Sequence, residues 1–353
     1  MQKTFGAWLA VVALAGSSAL NAGCSCNPAC QFRGTINQPE NLSMRRSMLR
    51  KAMGDFCKQM KSRNAPLKLS ADSPVIGRFY PSQCTASEGD TLHVTFAGMG
   101  YAWTNVTKKV TFNGGGSAAF RYDFQVTDGD QCDIYSYFRP QRIDASNFQT
   151  HRIESPLATM FAGISSLGND FGKQTLAQKL QEGFTVIAKD GSEANVELAL
   201  GIVPLGKKPF HPYQVERGDG RVTYENERTE VHQNQRDFIG PIVVEEEKKA
   251  IYLTAAVDGI PAIDVLVMRK ADAEQSLGLY YEYAQSGPLQ GTPMRSEVLA
   301  QGNQLKRSIV VPPGTYYIVL DNTPTAGQVA PVVNALDDRA AVVNYLIQIG
   351  DAS

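Results

Sequence analysis

The chain has 353 residues, of which 43% are hydrophobic and 20% are charged, and its formal net charge at pH 7 is −1. This composition is typical of a globular protein and excludes an intrinsically disordered chain. Because the charge is close to neutral, the composition gives no reason to expect a nucleic-acid partner. The length is enough for two domains.

The first 24 residues have the pattern of an export signal. Lys3 precedes an apolar run over residues 5–19 that is too short to span a bilayer comfortably, and no later apolar stretch of about 18 residues follows it. Small residues then lead to Ala22, Gly23 and Cys24. The pattern predicts a signal peptide over residues 1–23 and export of the protein. Ordinary cleavage after Ala19 or Ala22 is the alternative.

This ending resembles the signal of bacterial lipoproteins, in which a small residue precedes a cysteine that becomes lipidated. Asn21 departs from that pattern, because the family usually has Leu three residues before the cysteine. The resemblance implies that Cys24 carries lipid and anchors the protein in a membrane of the cell envelope. Ser25 follows the cysteine, and by similarity to enterobacterial sorting a non-acidic residue there indicates the outer membrane.

Residues 24–40 have no periodic pattern and predict a tether. Residues 41–64 predict a basic amphipathic helix, in which seven Lys and Arg residues stand against a single acid, Asp55. Apolar residues recur in it at helical spacing: Leu42, Met48, Leu49, Ala52, Met53, Phe56, Cys57 and Met60. Two interpretations are open. The helix is attracted to anionic lipid near the anchor, or it covers one face of the sheet that follows.

Strand patterns of period two begin at about residue 74. Apolar and polar residues alternate over residues 92–96 and 120–126, and residues 134–138 predict one more strand. Residues 106–112 predict another, which Asn113-Gly114-Gly115-Gly116 would turn sharply into the strand at Phe120. The pattern indicates an antiparallel meander with one buried face.

Two short helices and a hairpin complete the α+β domain predicted over residues 41–206. Ser155-Pro156 is a typical helix start, and residues 173–182 predict a second helix that ends at Gly183. Residues 184–188 and 196–202 predict two strands joined by a tight turn at Asp190-Gly191.

Residues 207–236 are polar and predict a linker. From residue 237 onward strand signals dominate, at 251–257, 263–268, 305–311, 315–320 and 341–349. Many short strands with turn signals predict an antiparallel β-sandwich over residues 237–353 that folds alone. The predicted fold class is therefore mainly β: an N-terminal α+β domain, with the meander, the basic amphipathic helix and two short helices, followed by the sandwich.

Three C-terminal segments resemble bacterial prepeptidase C-terminal domains, which are β-sandwich modules appended to secreted proteins. The segments are residues 264–268, 311–319 (with Pro313-Gly314-Thr315-Tyr316-Tyr317) and 345–349. The first strand departs from the family in lacking the usual second acidic residue. The resemblance implies a sandwich without catalytic activity of its own, and it leaves residues 24–206 without a family.

The cysteines all lie in the first 132 residues: Cys24, Cys26, Cys30, Cys57, Cys84 and Cys132. Export places them in an oxidising compartment, where disulfides persist. Cys84 and Cys132 flank the meander, which predicts a disulfide between them. A second bridge is expected from Cys57 to Cys30 or Cys26.

Two groups of residues are candidates for binding. Asp128, Asp130 and Asp133 are a weak calcium candidate, since Ca²⁺ takes six to eight oxygen ligands, and a solvated turn is the alternative. Tyr101 and Trp103, at a predicted loop tip, would suit stacking on a sugar or insertion into a partner. Alternatively, Trp103 folds back as a plug on the open end of the sheet.

No segment has a catalytic motif. The string nearest to a serine-hydrolase elbow, residues 163–168, has the wrong spacing, and the four histidines form no metal-binding pair. The sequence therefore predicts a non-catalytic, lipid-anchored envelope protein without a cofactor, which binds an unknown protein, glycan or lipid or has a structural role. The alternative is an exported enzyme, such as a hydrolase, with a site in residues 65–206 and an appended sandwich.

Overall fold

The structure is a computed structural model that describes residues 31–53, 56–62, 64–68, 72–105, 107–126, 134–144, 149–155, 184–188, 196–199, 210–215, 220–331 and 339–352. Its helices are α1 (Arg33–Ile36), α2 (Leu42–Met53), α3 (Phe56–Ser62) and α4 (Lys270–Glu282), with a 3₁₀ turn at Pro39–Asn41. The predicted helices within 155–182 and the turn at 190–191 lie outside the described residues.

Strands make up most of the described chain. The strands of the N-terminal half are β1 (Ala65–Lys68), β2 (Val75–Ser87), β3 (Leu92–Thr104), β4 (Lys108–Val126), β5 (Ile134–Asp144), β6 (Gln149–Ile153), β7 (Phe184–Ala188) and β8 (Val196–Ala199). Those of the C-terminal half are β9 (Val222–Val231), β10 (Gln235–Val244), β11 (Lys249–Asp258), β12 (Ala262–Arg269), β13 (Arg295–Ala300), β14 (Gln304–Val310), β15 (Gly314–Asn322) and β16 (Ala341–Asp351). The mainly β fold class with an N-terminal α+β region is confirmed.

One large sheet runs through both halves of the molecule. Its strand order is β14-β11-β16-β9-β2-β3-β4-β5-β7-β8, with β1 beside β2 and β6 beside β4, and a second sheet has the order β10-β15-β12-β13. The described pairings are antiparallel except where β2 meets β9, through one parallel pair formed by Val75 and Thr229. The backbone therefore joins the halves at a very narrow contact.

The C-terminal strands form the two layers of a sandwich. Strands β14, β11, β16 and β9 face β10, β15, β12 and β13 across a shared hydrophobic core. Ile251, Leu253 and Ala255 point into this core from one layer, and Val265 and Val267 point into it from the other. The spacing of two residues is the strand periodicity that predicted this region.

Helix α4 covers the outer face of the second sheet and was not predicted. Its residues Ala273, Leu277 and Tyr280 pack against Leu266 and Met268 of β12. Because β12 is buried on both faces, residues 263–268 read as an almost continuous apolar run. The apolar residues of α4 have helical spacing, but a Gly and several polar residues between them weaken the pattern.

Residues 42–53 and 56–62 of the basic segment are helical and lie on the meander. Leu49 of α2 and Met60 of α3 pack into a core made by inward side chains of β3 and β4. Arg45 is buried as well, and it donates to both carboxylate oxygens of Asp123 at 2.8 and 3.0 Å. These contacts favour the interpretation of a helix that covers the sheet over attraction to lipid.

The predicted turn at residues 113–116 is wrong, because β4 is continuous from Lys108 to Val126. Gly114 and Gly115 make room for neighbouring atoms of β2 and β3 rather than for a turn. A β-carbon added at Gly114 would lie 3.3 Å from the ring of Phe79 on β2. That ring is stacked on the ring of Phe112, which lies on β4 as Gly114 does. Glycine within a strand often marks such a close approach.

The predicted tether 24–40 is wrong for its last part. Residues 33–41 form helical turns, and the Asn37 side chain pairs with the edge of β4, donating to the Val126 carbonyl at 2.8 Å and accepting from its N–H at 3.0 Å. The exposed edge of the strand thereby gains hydrogen bonds that a neighbouring strand would otherwise supply. Residues 24–30 lie outside the described part of the chain.

A disulfide joins Cys57 of α3 to Cys84 of β2, with Cα atoms 5.3 Å apart. The predicted Cys84–Cys132 bridge and the predicted bridge from Cys57 to Cys30 or Cys26 are therefore wrong. Helix α3 lies across β2 and brings Cys57 next to the inward side of that strand, a proximity that sequence separation does not reveal. Cys26, Cys30 and Cys132 fall outside the described residues.

The predicted linker 207–236 is wrong over residues 222–236. Strand β9 and the start of β10 occupy this segment, and β9 pairs with β16 along nearly its whole length. Its polar residues Glu225 and Glu227 are buried. They face charged residues of the N-terminal half. Strand β9 therefore has a polar composition, like that of a linker, although it is a strand of the shared sheet.

Candidate functional site

The largest concentration of buried charge lies where β1, β2 and β3 meet β9 and β10. Its centre is Arg78 of β2, which has no exposed surface. The guanidinium donates two hydrogen bonds to Asp237 of β10, from Nε to Oδ1 at 2.6 Å and from Nη2 to Oδ2 at 2.9 Å. Nη1 donates to Glu225 and to Asn64 at 2.7 Å each, and Nη2 donates to Tyr345 at 2.7 Å. All five N–H groups of Arg78 are therefore used.

The acidic partners accept further hydrogen bonds. Tyr101 and Thr229 donate hydroxyl protons to the two oxygens of Asp237, each at 2.8 Å. The Tyr345 hydroxyl donates to Glu225 Oε1 at 2.5 Å. Buried charge is tolerated only when it is paired and hydrogen-bonded in this way. The cluster is thus a closed network of intramolecular contacts.

Burial and charge set the ionisation of this network. Burial alone would lower the pKa of Arg78, but the carboxylates of Asp237 and Glu225 outweigh it and raise that pKa well above the ordinary value. Burial raises the pKa of Tyr101 and Tyr345 well above the usual range. The arginine is therefore a fixed cation, and the two phenols are fixed hydrogen-bond donors.

A second buried ion pair lies beside the first. Lys68 of β1 donates to Glu227 Oε2 of β9 at 2.6 Å, and both side chains are buried. Burial raises the pKa of Glu227, while the Lys68 ammonium opposes that rise. Both pairs cross between the halves, so the narrow backbone contact at β9 is reinforced by charge.

Helix α4 makes a third contact between the halves through its C-terminal end. Lys109 of β4 donates to the carbonyls of Tyr280 and Tyr283 at 3.0 and 2.8 Å, and Thr111 donates to the carbonyl of Tyr281 at 3.0 Å. These side chains satisfy carbonyls that have no partner within the helix. Burial lowers the pKa of Lys109 to about 8.

A small cleft opens next to the network and contains the predicted pair Tyr101 and Trp103. Both lie within β3 and not at a loop tip. His232 stacks on the Trp103 indole with ring centroids 3.3 Å apart, and the Lys108 ammonium lies 5.1 Å from the indole centroid. This packing favours the plug over an exposed platform for a sugar. The cleft has room for about one water molecule.

The remaining predicted site residues fall outside the description. Cys24, Asp128, Asp130 and Asp133 lie in segments of which the structure describes nothing. Among the residues that are described, no three His, Cys, Asp or Glu side chains come together as a metal site. Within the same residues no helix is long and apolar enough to cross a membrane.

Sequence reasoning missed Arg78 and Asp237, the two central residues. A usable signal existed, since each is a charged residue inside an apolar strand pattern, Val75–Tyr80 in one case and Phe238–Ile242 next to the other. An ion at such a position requires a partner of opposite charge. The sequence does not say which of the 35 acidic residues pairs with Arg78, or which of the 34 basic residues pairs with Asp237.

No protein-family model matches the chain, and no curated protein is significantly similar to it.

Proposed function

We propose that this protein is a non-catalytic, lipid-anchored protein of the cell envelope that acts as a rigid binding or structural module. The observation that supports this proposal is the saturation of the Arg78 network. Its donors and acceptors are consumed by one another across the two halves. A reacting group must instead present a proton, a lone pair or a charge to a substrate.

The anchor is proposed from the signal sequence and from the short distance in sequence between Cys24 and the described residues. Residues 25–30 separate Cys24 from the first described residue, Gln31. An extended segment of this length reaches about 20 Å. The folded part would therefore stay close to the membrane surface, at the outer membrane if Ser25 is read as a sorting residue.

The test of the anchor is the fate of Cys24→Ala. The wild-type protein should fractionate with membranes, and intact-mass analysis should find lipid on Cys24, whereas Cys24→Ala should be soluble. Ser25→Ala is the matched control, because it changes the neighbouring residue and keeps the lipidated cysteine. An unmodified mature N-terminus at Leu20 or Gly23 would refute the anchor.

One observation favours the alternative, an exported enzyme. His232 Nε2 contacts Glu230 Oε1 at 2.6 Å at the small cleft, which resembles the pairing of a catalytic base with its orienting acid. The soluble Cys24→Ala protein should be incubated with envelope extract and its products compared by mass spectrometry with those from Cys24→Ala/His232→Gln. Turnover that disappears in the second protein would support the enzyme and overturn the non-catalytic proposal.

A further inference from the structure

The outer face of the meander is largely polar, and α2 reaches it at one end through Arg45, which pairs with Asp123. Helices α2 and α3 cover the opposite face, where the side chains of residues 118, 120, 122 and 124 point inward. Residues two apart on a strand share a face. The odd-numbered residues of β4 from Ser117 to Gln125 therefore form the outer face.

Direct pairing across the strands places three basic side chains around one small residue. Ala119 of β4 lies opposite His93 of β3 on one side and opposite Arg142 of β5 on the other. Arg121 follows two residues along β4, on the same face. Residues directly opposite in an antiparallel pair lie on one face. His93, Arg121 and Arg142 are all exposed, and together with Ala119 they form what is called here the basic face.

A β-bulge between β4 and β5 orients one of these arginines. The register shifts between Ala119 and Phe120, so that Gln141 is an extra residue on β5. With its amide oxygen toward Arg121, Gln141 accepts from Arg121 Nε at 2.5 Å. Bulges commonly redirect a side chain in this way. The same amide oxygen accepts from Arg121 Nη2 at 3.3 Å, so the guanidinium is held in position.

Polar hydroxyl groups extend the basic face. Thr95 and Ser117 lie opposite each other in the next row of the ladder, and Ser87 lies opposite His93. The rows cross four strands, which corresponds to roughly 14 Å at the usual strand spacing. Of the nearby acids, Asp123 is paired with Arg45, and Asp144 lies opposite Ser117, two residues beyond Arg142 on β5, and has an interaction of its own.

We propose that the basic face binds an anionic polysaccharide, one that carries carboxylates on its sugars. Arginine forks recognise carboxylates, and the surrounding hydroxyl and amide groups match the hydroxyls of a sugar chain. A membrane surface fits less well, because none of the exposed large hydrophobic residues of the described chain lies on this face. This inference rests on the proposed function, since it names the ligand class of a binding module.

The test uses the soluble full-length Cys24→Ala protein and immobilised polygalacturonate, with neutral dextran as the uncharged reference. We expect binding to polygalacturonate only. Arg121→Gln/Arg142→Gln should weaken it by at least about tenfold. The matched control is Lys58→Gln/Lys61→Gln, which removes the same charge from exposed positions on α3 and should change the affinity less than about twofold.

A second variant keeps the test independent of the arginines. Ala119→Glu places a negative charge at the centre of the basic face and should abolish binding, while circular dichroism should show an unchanged fold. Equal losses in the two double variants, binding to phosphatidylglycerol vesicles in place of polygalacturonate, or no binding at all would overturn the inference. These results do not depend on lipidation of Cys24. The proposed anchor is tested separately by its own experiment.

Discussion

Arg78 has no exposed surface, and at such a position each buried ion costs several kcal/mol of desolvation. Five hydrogen bonds, four of them to Asp237, Glu225 and Tyr345, offset that cost. The network therefore does more for specificity than for net stability: one relative placement of the halves satisfies every donor, and any other leaves buried charge without a partner.

Removal of Arg78 should be strongly destabilising. Arg78→Met leaves Asp237 and Glu225 buried without their cation, so we expect the free energy of unfolding to fall by about 3–5 kcal/mol. Chemical denaturation of the purified protein measures this change. Arg307→Met is the matched control, because Arg307 pairs with Glu297 at an exposed position, and it should cost about 0–1 kcal/mol.

Lys109 should make stability depend on pH in the alkaline range. Its pKa is about 8 in the folded protein, whereas an unfolded lysine has a pKa of about 10.4. Between these values the unfolded state binds more protons, so the stability of the wild type rises with pH. Below pH 8 Lys109 is charged in the folded protein, which then bears the full free-energy cost of burying the ammonium group. The neutral amine still donates to the helix carbonyls.

We therefore compare wild type with Lys109→Met between pH 7 and pH 10. The unfolding free energy of the wild type, relative to that of Lys109→Met, should increase by about 2–3 kcal/mol from pH 7 to pH 10. Lys306→Met, at an exposed position of β14, should give a curve parallel to that of the wild type. A flat difference for Lys109→Met would show that the amine keeps its ordinary pKa.

At the scale of elements, α3 and β2 are joined both by packing and by the Cys57–Cys84 bridge. The bridge closes a segment with a sequence separation of 27 residues. In the chain-entropy model, a loop of that size stabilises the fold by about 3–4 kcal/mol. Helix α3 and β2 belong to the same covered face of the meander, so loss of the bridge should loosen that face first.

Peptide mapping without reduction should recover a Cys57–Cys84 crosslink. The double variant Cys57→Ser/Cys84→Ser should melt at a lower temperature than the wild type, and reduction should add no further shift from this pair. The single variant Cys57→Ser lacks the crosslink but keeps the Cys84 side chain. Its melting temperature therefore separates loss of the crosslink from loss of that side chain. A peptide linking Cys84 to Cys132 would contradict the structure.

At the scale of the whole molecule, β9 belongs to both halves. It pairs with β16 along the sandwich, and its buried acids face Lys68 and Arg78 of the N-terminal half. The boundary of the sandwich therefore lies before Val222 and not at residue 237. A fragment that begins at residue 237 leaves the edge of β16 unpaired and removes Tyr224 and Val231 from the core.

Two fragments test this boundary. Residues 220–353 should unfold cooperatively, because all eight sandwich strands are retained, whereas residues 237–353 should aggregate or unfold without a transition. The longer fragment should still be less stable than the full chain, since it lacks the partners of Glu225, Glu227 and Asp237. If 237–353 alone melts as sharply as 220–353, β9 is not essential to the sandwich.

Local sequence patterns predicted most strands of the sandwich and of the meander, though not β9 or β13, and they predicted the helical character of residues 42–53 and 56–62. These features follow from local periodicity, which a strand such as β11 or a helix such as α2 has along its own length. The export signal and the anchor at Cys24 remain predictions of the same kind.

Only the tertiary structure decided which residues meet. The partners of Arg78 are 14 to 267 positions away along the chain, Cys57 pairs with Cys84, and the polar strand β9 has the composition of a linker because its charges are neutralised by another part of the chain. Electrostatic pairing and disulfide formation depend on distance in space, and a sequence records only distance along the backbone. Periodicity therefore reveals elements, while the sites between them require the fold.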